Sequence, residues 1–167
     1  MAVNTFYDGA EYYVWHDMRT LAIDGTRLVL PNHPGVIAEF GQQQFGPKAD
    51  SVRSLAIASK LYDVLNLVTT DAQIAPYVSS EGDLLMQHLD KLKCGDLLLL
   101  DRGYPSFRLL FLLKAKGIEF CVRLKDDWCL KVKDFTESVQ KVRIVTFILP
   151  KKIGRSWQIF RKCMKLQ

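Results

Sequence analysis

The chain has 167 residues, of which 49% are hydrophobic and 25% charged. This composition excludes a disordered or collagen-like chain, and it is sufficient for the core of one domain, or of one domain and part of another. The longest purely apolar runs, Leu97–Leu100 and Leu109–Leu113, are far shorter than the roughly 20 residues of a membrane-spanning helix. Asp8 and Glu11 lie where a secretory signal would need basic and then apolar residues. We therefore expect a soluble, cytoplasmic protein with no membrane partner.

The net charge of +5 is concentrated at the C-terminal end of the chain. Beyond Glu137 there is no acidic residue, but there are eight of the 23 basic ones. A segment with charges of one sign is a solvated face, a nucleic-acid contact, or part of a domain that lacks its acidic partners. Charge alone leaves these three interpretations open.

The first 80 residues are rich in β-strand patterns. Alternating residues predict a strand over Thr20–Leu30, and a loop or short helix around Val36–Phe40 follows it. Two antiparallel strands are predicted next, at Leu55–Leu67 and Ala72–Tyr77, with the chain reversing near Thr69–Asp71. This part of the chain therefore contributes three strands.

Helices and strands alternate from Ser80 onward. Ser80 and Asp83 have the spacing of a capping box, which predicts a helix that starts at Ser80 and ends near Lys93. The wholly apolar run Leu97–Leu100 predicts a central strand that is buried on both faces, with helices on each side of the sheet.

A second helix is predicted to have Pro105 at its first position and to stop at Gly117, and a strand over Ile118–Leu124 follows. The order of three strands, helix, strand, helix and strand indicates an α/β fold with a mixed sheet. Trp128–Val132 and Val142–Leu149 are also strand-like, so we expect a β-rich insertion to begin there.

A zinc site is not indicated. The four cysteines include no Cys-x-x-Cys pair, and in a reducing compartment they are best interpreted as small buried apolar residues. His16, His33 and His88 are not paired at ligand spacing, and each is expected to be a surface or partly buried histidine.

Two aspartates are the strongest candidates for chemistry. Asp24 lies in the first strand and Asp101 ends the strand Leu97–Leu100, so their side chains can converge at one edge of the sheet. Convergent carboxylates resist ionisation unless a divalent cation lies between them, and two such cations can activate a water or a 3′-hydroxyl for attack on a phosphodiester. The residues alone equally allow a turn at Asp24 and Gly25 and a simple strand-to-helix loop, with a local ion pair, after Asp101.

Five ordered segments are similar to one protein family. The segment Leu21–Thr26 with its continuation Leu28–Pro31, and the segment Gly95–Tyr104, resemble the first two catalytic motifs of DDE transposases of bacterial insertion sequences, specifically of the insertion-sequence-four type. The segments that resemble further strands of this family are Leu61–Asn66, Ala75–Tyr77 and Gly117–Lys125. The resemblance covers about residues 20 to 125 and weakens through Pro150.

This resemblance implies a ribonuclease-H-like fold in which the first strand carries one catalytic aspartate and the fourth strand ends at the second. Asp24 and Asp101 would be the catalytic, metal-binding residues, holding Mg²⁺ or Mn²⁺ for DNA nicking and strand transfer. The family's third acid is a glutamate in a motif of tyrosine, arginine, glutamate and lysine, which Glu137 does not match. We therefore expect an incomplete two-ion site and a truncated, inactive chain.

The resemblance also sets the expected organisation. Residues 1–19 would be an N-terminal flank, residues 20–125 an incomplete ribonuclease-H-like catalytic core, and residues 126–167 a partial β-rich insertion and basic tail. The expected partners are transposon-end and target DNA, with a full-length transposase or a second copy as protein partners. Arg102, Arg123 and Lys125 are candidates for DNA contact, or equally for structural ion pairs. The alternative function is a non-catalytic module that binds DNA or inhibits a transposase.

Overall fold

The computed structural model describes residues 7–45 and 51–145. In these ranges the chain forms one six-stranded sheet and four α-helices. The elements in chain order are β1 (Thr20–Leu30), α1 (Pro34–Phe40), β2 (Gln43–Phe45), β3 (Ser51–Asp63), β4 (Val68–Pro76), α2 (Glu81–His88), a 3₁₀ turn (Leu89–Lys91), β5 (Leu97–Leu100), α3 (Phe107–Ala115), β6 (Glu119–Val122) and α4 (Leu130–Thr136).

The sheet is mixed. Strands β4 and β2 both pair with β3, and the order then continues through β1 and β5 to β6. The pairs of β3 with β1, β2 and β4 are antiparallel, whereas β5 is parallel to both β1 and β6. This confirms the predicted α/β class and the ribonuclease-H-like order of elements. None of the helices in the described ranges has the length and hydrophobicity needed to span a bilayer.

The turn between β3 and β4 lies earlier than predicted. Strand β3 ends at Asp63 and β4 begins at Val68, so the chain reverses over residues 64–67 and not near Thr69–Asp71. The buried carboxylate of Asp63 accepts hydrogen bonds from the backbone N–H groups of Leu65 and Asn66, which closes the turn. A short strand, β2, was not predicted at all.

Both predicted helix starts can be explained by caps. Ser80 is the N-cap of α2, and its capping box with Asp83 is formed as predicted, although the α-helix ends at His88 and continues only as the 3₁₀ turn. Pro105 is not the first residue of α3. Ser106 takes the N-cap position because its side chain accepts from the Leu109 N–H, so the helix begins at Phe107.

The core lies on one face of the sheet. Helices α2 and α3 pack together there on the inward side chains of the central strands, and the buried cluster consists of Leu21, Ile23, Leu61, Leu85, Leu89, Leu98, Leu100, Leu109, Leu113 and Ile118. Because side chains alternate along a strand, Leu97 and Leu99 point to the opposite face, where they are only partly buried. The prediction that β5 is buried on both faces is therefore wrong for the described part of the chain.

The region after residue 125 also differs from the prediction. Trp128–Val132 is not a strand, because Leu130 begins helix α4. Trp128 is held by its indole N–H, which donates to the backbone oxygen of Pro105 at 3.1 Å. Residues 137–145 contain no strand, and the remainder of the predicted strand Val142–Leu149 lies outside the described residues.

A buried ion pair aligns β1 with β5. Arg19, just before β1, donates from Nε and Nη2 to the carboxylate of Asp96, just before β5, at 3.0 and 2.7 Å. Burial lowers the pKa of Arg19, but its bonds to Asp96 outweigh this effect and the pKa is raised. This pair places Thr20 opposite Leu97.

Candidate active site

The register of β1 and β5 gives the two predicted aspartates neighbouring positions. Thr20 pairs with Leu97 and Ala22 with Leu99 in the parallel ladder of β1 and β5. Continuing this register by two residues places Asp24 next to Asp101, on neighbouring strands about 4.8 Å apart. Both side chains are exposed on the face of the sheet opposite the leucine core. Asp24 and Gly25 lie inside β1, so the alternative of a turn at these residues is wrong.

A basic residue flanks each aspartate. In the antiparallel ladder of β1 and β3, Lys60 is the direct partner of Asp24. On the other side, the Arg123 backbone N–H donates to the Leu100 oxygen at 3.0 Å. Arg123 Nη1 also lies 3.7 Å from Asp101 Oδ1. Lys60, Asp24, Asp101 and Arg123 thus form one line across four adjacent strands, which we call the charged row.

The other two predicted DNA contacts lie next to this row. Arg102 is exposed in the turn after β5, and Lys125 is exposed two residues beyond Arg123. Within residues 7–45 and 51–145, neither one forms a salt bridge. As far as the described residues show, the structural ion-pair alternative applies only to Arg123, and its pair with Asp101 is solvent-exposed.

Tyr104 and Glu81 approach the same region from the core side. A Cβ placed on Gly25 would lie 3.3 Å from the Tyr104 hydroxyl and 3.4 Å from the Glu81 side chain, so both groups closely approach this position of the strand. The Tyr104 hydroxyl is buried and has no hydrogen-bond partner among the described residues. Burial, and then the charges of Glu81, Asp24 and Asp101, raise the pKa of Tyr104 to about 12.

Sequence reasoning missed Lys60 and Glu81. Glu81 is in the first turn of α2. The capping box predicted where this helix begins, but not which strand its first turn would contact. The strand pattern likewise placed Lys60 in a strand without indicating its partner. The β1–β3 register brings Lys60 to Asp24, and the packing of α2 brings Glu81 close to Gly25, the residue after Asp24.

The donor set fits a hard cation in part. Carboxylate oxygens are the ligands that Mg²⁺ and Mn²⁺ prefer, and the register of β1 and β5 gives two carboxylates neighbouring positions here. Within the described ranges, no group of three or more His, Cys, Asp or Glu side chains is arranged to hold a metal ion.

Cys94 and Cys121 are exposed, so the prediction that the cysteines are buried is wrong for these two.

His88 lies in a second polar cluster, on the core side of the sheet. It is fully buried, contrary to the prediction, and its Nδ1 lies 2.8 Å from Asp71 Oδ2 while its Nε2 lies 3.0 Å from Ser59 Oγ. Burial raises the pKa of Asp71, but hydrogen bonds from Gln73 and His88 outweigh this effect and lower the pKa. The order of groups is that of a hydrolase triad. Ser59 is only 3% exposed, so no substrate reaches its hydroxyl, and the cluster joins α2 to β3 and β4.

The family profile described as "Transposase DDE domain" matches residues 15–161. The chain belongs to this family. A relative from Escherichia coli (strain K12), named "Putative transposase InsZ", is 28% identical over 112 residues, which are 65% of this chain and 38% of the relative. This transposase chain thus spans well under half of that relative's length.

A solved structure is also similar to this transposase domain. It is the "Cryo-EM structure of piggyBac transposase synaptic complex with hairpin DNA (SNHP)", with a TM-score of 0.44 and 11% sequence identity over 75% of this chain and 27% of that one.

Proposed function

We propose that this chain is part of the catalytic core of an insertion-sequence transposase, with Asp24 and Asp101 as its catalytic, metal-binding residues. The observation that carries the proposal is the parallel register of β1 and β5, which supports adjacent positions for the two carboxylates in a chain of the transposase family. A pair of Mg²⁺ or Mn²⁺ ions, when bound, would supply an activated water or 3′-hydroxyl and stabilise the leaving oxygen in phosphodiester cleavage and strand transfer.

The residues of this chain would bind and orient the DNA. Two neighbouring carboxylates repel a phosphate backbone, so nearby cations are needed to hold it. Arg123 lies beside Asp101, and Arg102 and Lys125 are exposed near it, which suits contacts to the phosphates of transposon ends and target.

Two carboxylates alone would hold metal weakly, because such ions usually need further ligands. We therefore expect this chain by itself to be inactive in strand transfer, with the two-ion site incomplete until a third carboxylate is supplied. A full-length transposase or a second copy of the chain would be the protein partner in this proposal.

The second candidate is a non-catalytic module that binds DNA or inhibits a transposase. The basic C-terminal segment favours it, since the segment beyond Glu137 has eight positive charges and no negative ones. Such a module would bind DNA through counterion release, without a need for the aspartate pair.

Metal binding tests the first proposal directly. We would titrate Mn²⁺ into the full chain and into Asp24→Asn, Asp101→Asn and Asp134→Asn, the last as a matched loss of an exposed carboxylate on α4. We expect at least ~10-fold weaker Mn²⁺ binding for the first two variants and no change for the third. Equal affinity in all four proteins would refute the proposed metal site.

Nicking of a supercoiled plasmid in Mg²⁺ separates the two candidates. Nicking that disappears with Asp101→Ala supports the catalytic role. DNA binding that is unchanged in Asp101→Ala and weakened by salt, with neither nicking nor a loss of Mn²⁺ affinity in Asp101→Asn, supports the non-catalytic module.

A further inference from the structure

We propose that Lys60 is a DNA-positioning residue that holds the phosphate backbone on the side of the aspartate pair opposite to Arg123. This inference rests on the proposed function and extends it to β3, an element that carries none of the residues assigned above. In this proposal the charged row has a cation at each end, Lys60 and Arg123, and the carboxylate pair in the middle.

The register places Lys60 on the exposed face. Directly paired residues of antiparallel strands have their side chains on the same face, and Lys60 pairs with Asp24. The alternation of β3 agrees, because its neighbours Ser59 and Leu61 are buried on the core side while Lys60 is exposed.

The ammonium group of Lys60 is not used to neutralise Asp24. Within the described residues no salt bridge joins the two, and Lys60 Nζ instead lies 5.0 Å from the centre of the Tyr62 ring. The face of an aromatic ring attracts the ammonium ion, but this contact does not pair the N–H groups with a carboxylate. The ammonium group can therefore still donate hydrogen bonds to a phosphate. The ring also restricts where the side chain lies, which suits a positioning role.

The spacing of the row suits a nucleic-acid strand. Three inter-strand steps of about 4.8 Å separate Lys60 from Arg123, roughly 14 Å in all. A DNA backbone that lies along the charged row would pass both cations, with the phosphate between them above Asp24 and Asp101. The outer phosphates would then be held by positive charge, and the one over the carboxylates by the metal.

The test is the salt dependence of DNA binding by the full chain. We would measure the affinity for a fluorescein-labelled duplex by anisotropy, with Ca²⁺ in place of Mg²⁺, for the unaltered chain and for Lys60→Gln, Lys60→Arg and Lys116→Gln. Lys116 is the matched control, because it is an exposed lysine at the C-cap of α3, beside Gly117, which bonds to Gly95 before the start of β5. It therefore lies at the end of the sheet away from the row.

We expect Lys60→Gln to reduce the slope of log K against log salt by about 0.9 and to weaken binding by about 5-fold at moderate salt. Lys60→Arg should keep the slope, and Lys116→Gln should behave like the unaltered chain. Mn²⁺ affinity should not fall in Lys60→Gln, because the carboxylates remain; a fall would mean that the substitution disturbs the site and would overturn the positioning role.

The outcomes distinguish the two proposals. If Lys60→Gln and Lys116→Gln have the same slope while Asp101→Asn still loses Mn²⁺, the inference about Lys60 is wrong and the proposed function stands. If Mn²⁺ affinity is unchanged in Asp24→Asn and Asp101→Asn, the proposed function fails first, and the role of Lys60 fails with it.

Discussion

The buried hydroxyl of Tyr104 predicts that one substitution in the core stabilises the protein, whereas most core substitutions destabilise it. Its ring packs against the leucine cluster, whereas its hydroxyl has no hydrogen-bond partner among the described residues. An unpaired buried hydroxyl costs about 1–3 kcal/mol, and Phe keeps the ring contacts. We therefore expect Tyr104→Phe to raise the free energy of unfolding by about 1 kcal/mol at pH 8, or roughly 2–4 °C in Tm.

The gain should increase at alkaline pH. The pKa of Tyr104 is raised from 10.0 to about 12, so the folded state holds this proton more tightly than the unfolded state does. The contribution of protonated Tyr104 to the free energy of unfolding is fully present below pH 10 and is lost as the pH rises toward 12. One pKa unit corresponds to ~1.4 kcal/mol, so a shift from 10.0 to about 12 corresponds to roughly 2.8 kcal/mol; because the residue is half-buried, we expect about half of this, roughly 1.4 kcal/mol.

Urea unfolding followed by circular dichroism from pH 8 to pH 11.5 measures both effects as a difference between the variant and the unaltered chain. Tyr62→Phe is the matched control, since its hydroxyl is not a buried, unpartnered atom. The difference for Tyr104→Phe should be positive at pH 8 and should widen above pH 10. A variant that is less stable than the unaltered chain at pH 8 would show that the hydroxyl does have a partner, and the reasoning would fail.

Three further substitutions probe the structure that supports the site. Asp96→Ala leaves the buried guanidinium of Arg19 without its carboxylate and should cost about 3–5 kcal/mol in urea unfolding; a loss under 1 kcal/mol would contradict a register-setting role. The pKa of Asp71 is lowered in the fold, so its stabilisation is present above its ordinary value and is lost as the pH falls through the lowered one. Asp71→Asn should therefore flatten the acid limb of a plot of stability against pH, below the ordinary value of 3.8, and an unchanged limb would refute this. Gly117 has φ +70°, and a Cβ there would lie 2.6 Å from Cys94 Sγ. Gly117→Ala should lower the free energy of unfolding by about 2 kcal/mol. Adding Cys94→Ala should restore only the part that comes from the steric contact, and full recovery in the double variant would exclude backbone strain.

The order of elements could be predicted from the sequence because it depends on local patterns. The alternation of Thr20–Leu30, the apolar run Leu97–Leu100 and the capping box at Ser80 each act within a few residues, and all three elements are present. The sequence predicted the position of the β3–β4 turn less accurately. It depends on hydrogen bonds from the buried carboxylate of Asp63, and a pattern of apolar residues contains no information about them.

The sequence by itself also identified the two aspartates as candidates for the catalytic residues, since one lies in a strand and the other at the end of a strand. Only the tertiary structure decided what lies next to them. Lys60 is the neighbour of Asp24 because of the β1–β3 register, and Asp24 comes beside Asp101 because the buried pair of Arg19 and Asp96 aligns β1 with β5. Cross-strand neighbours are far apart in the chain, and a strand's own residues do not specify which residue of another strand will face them.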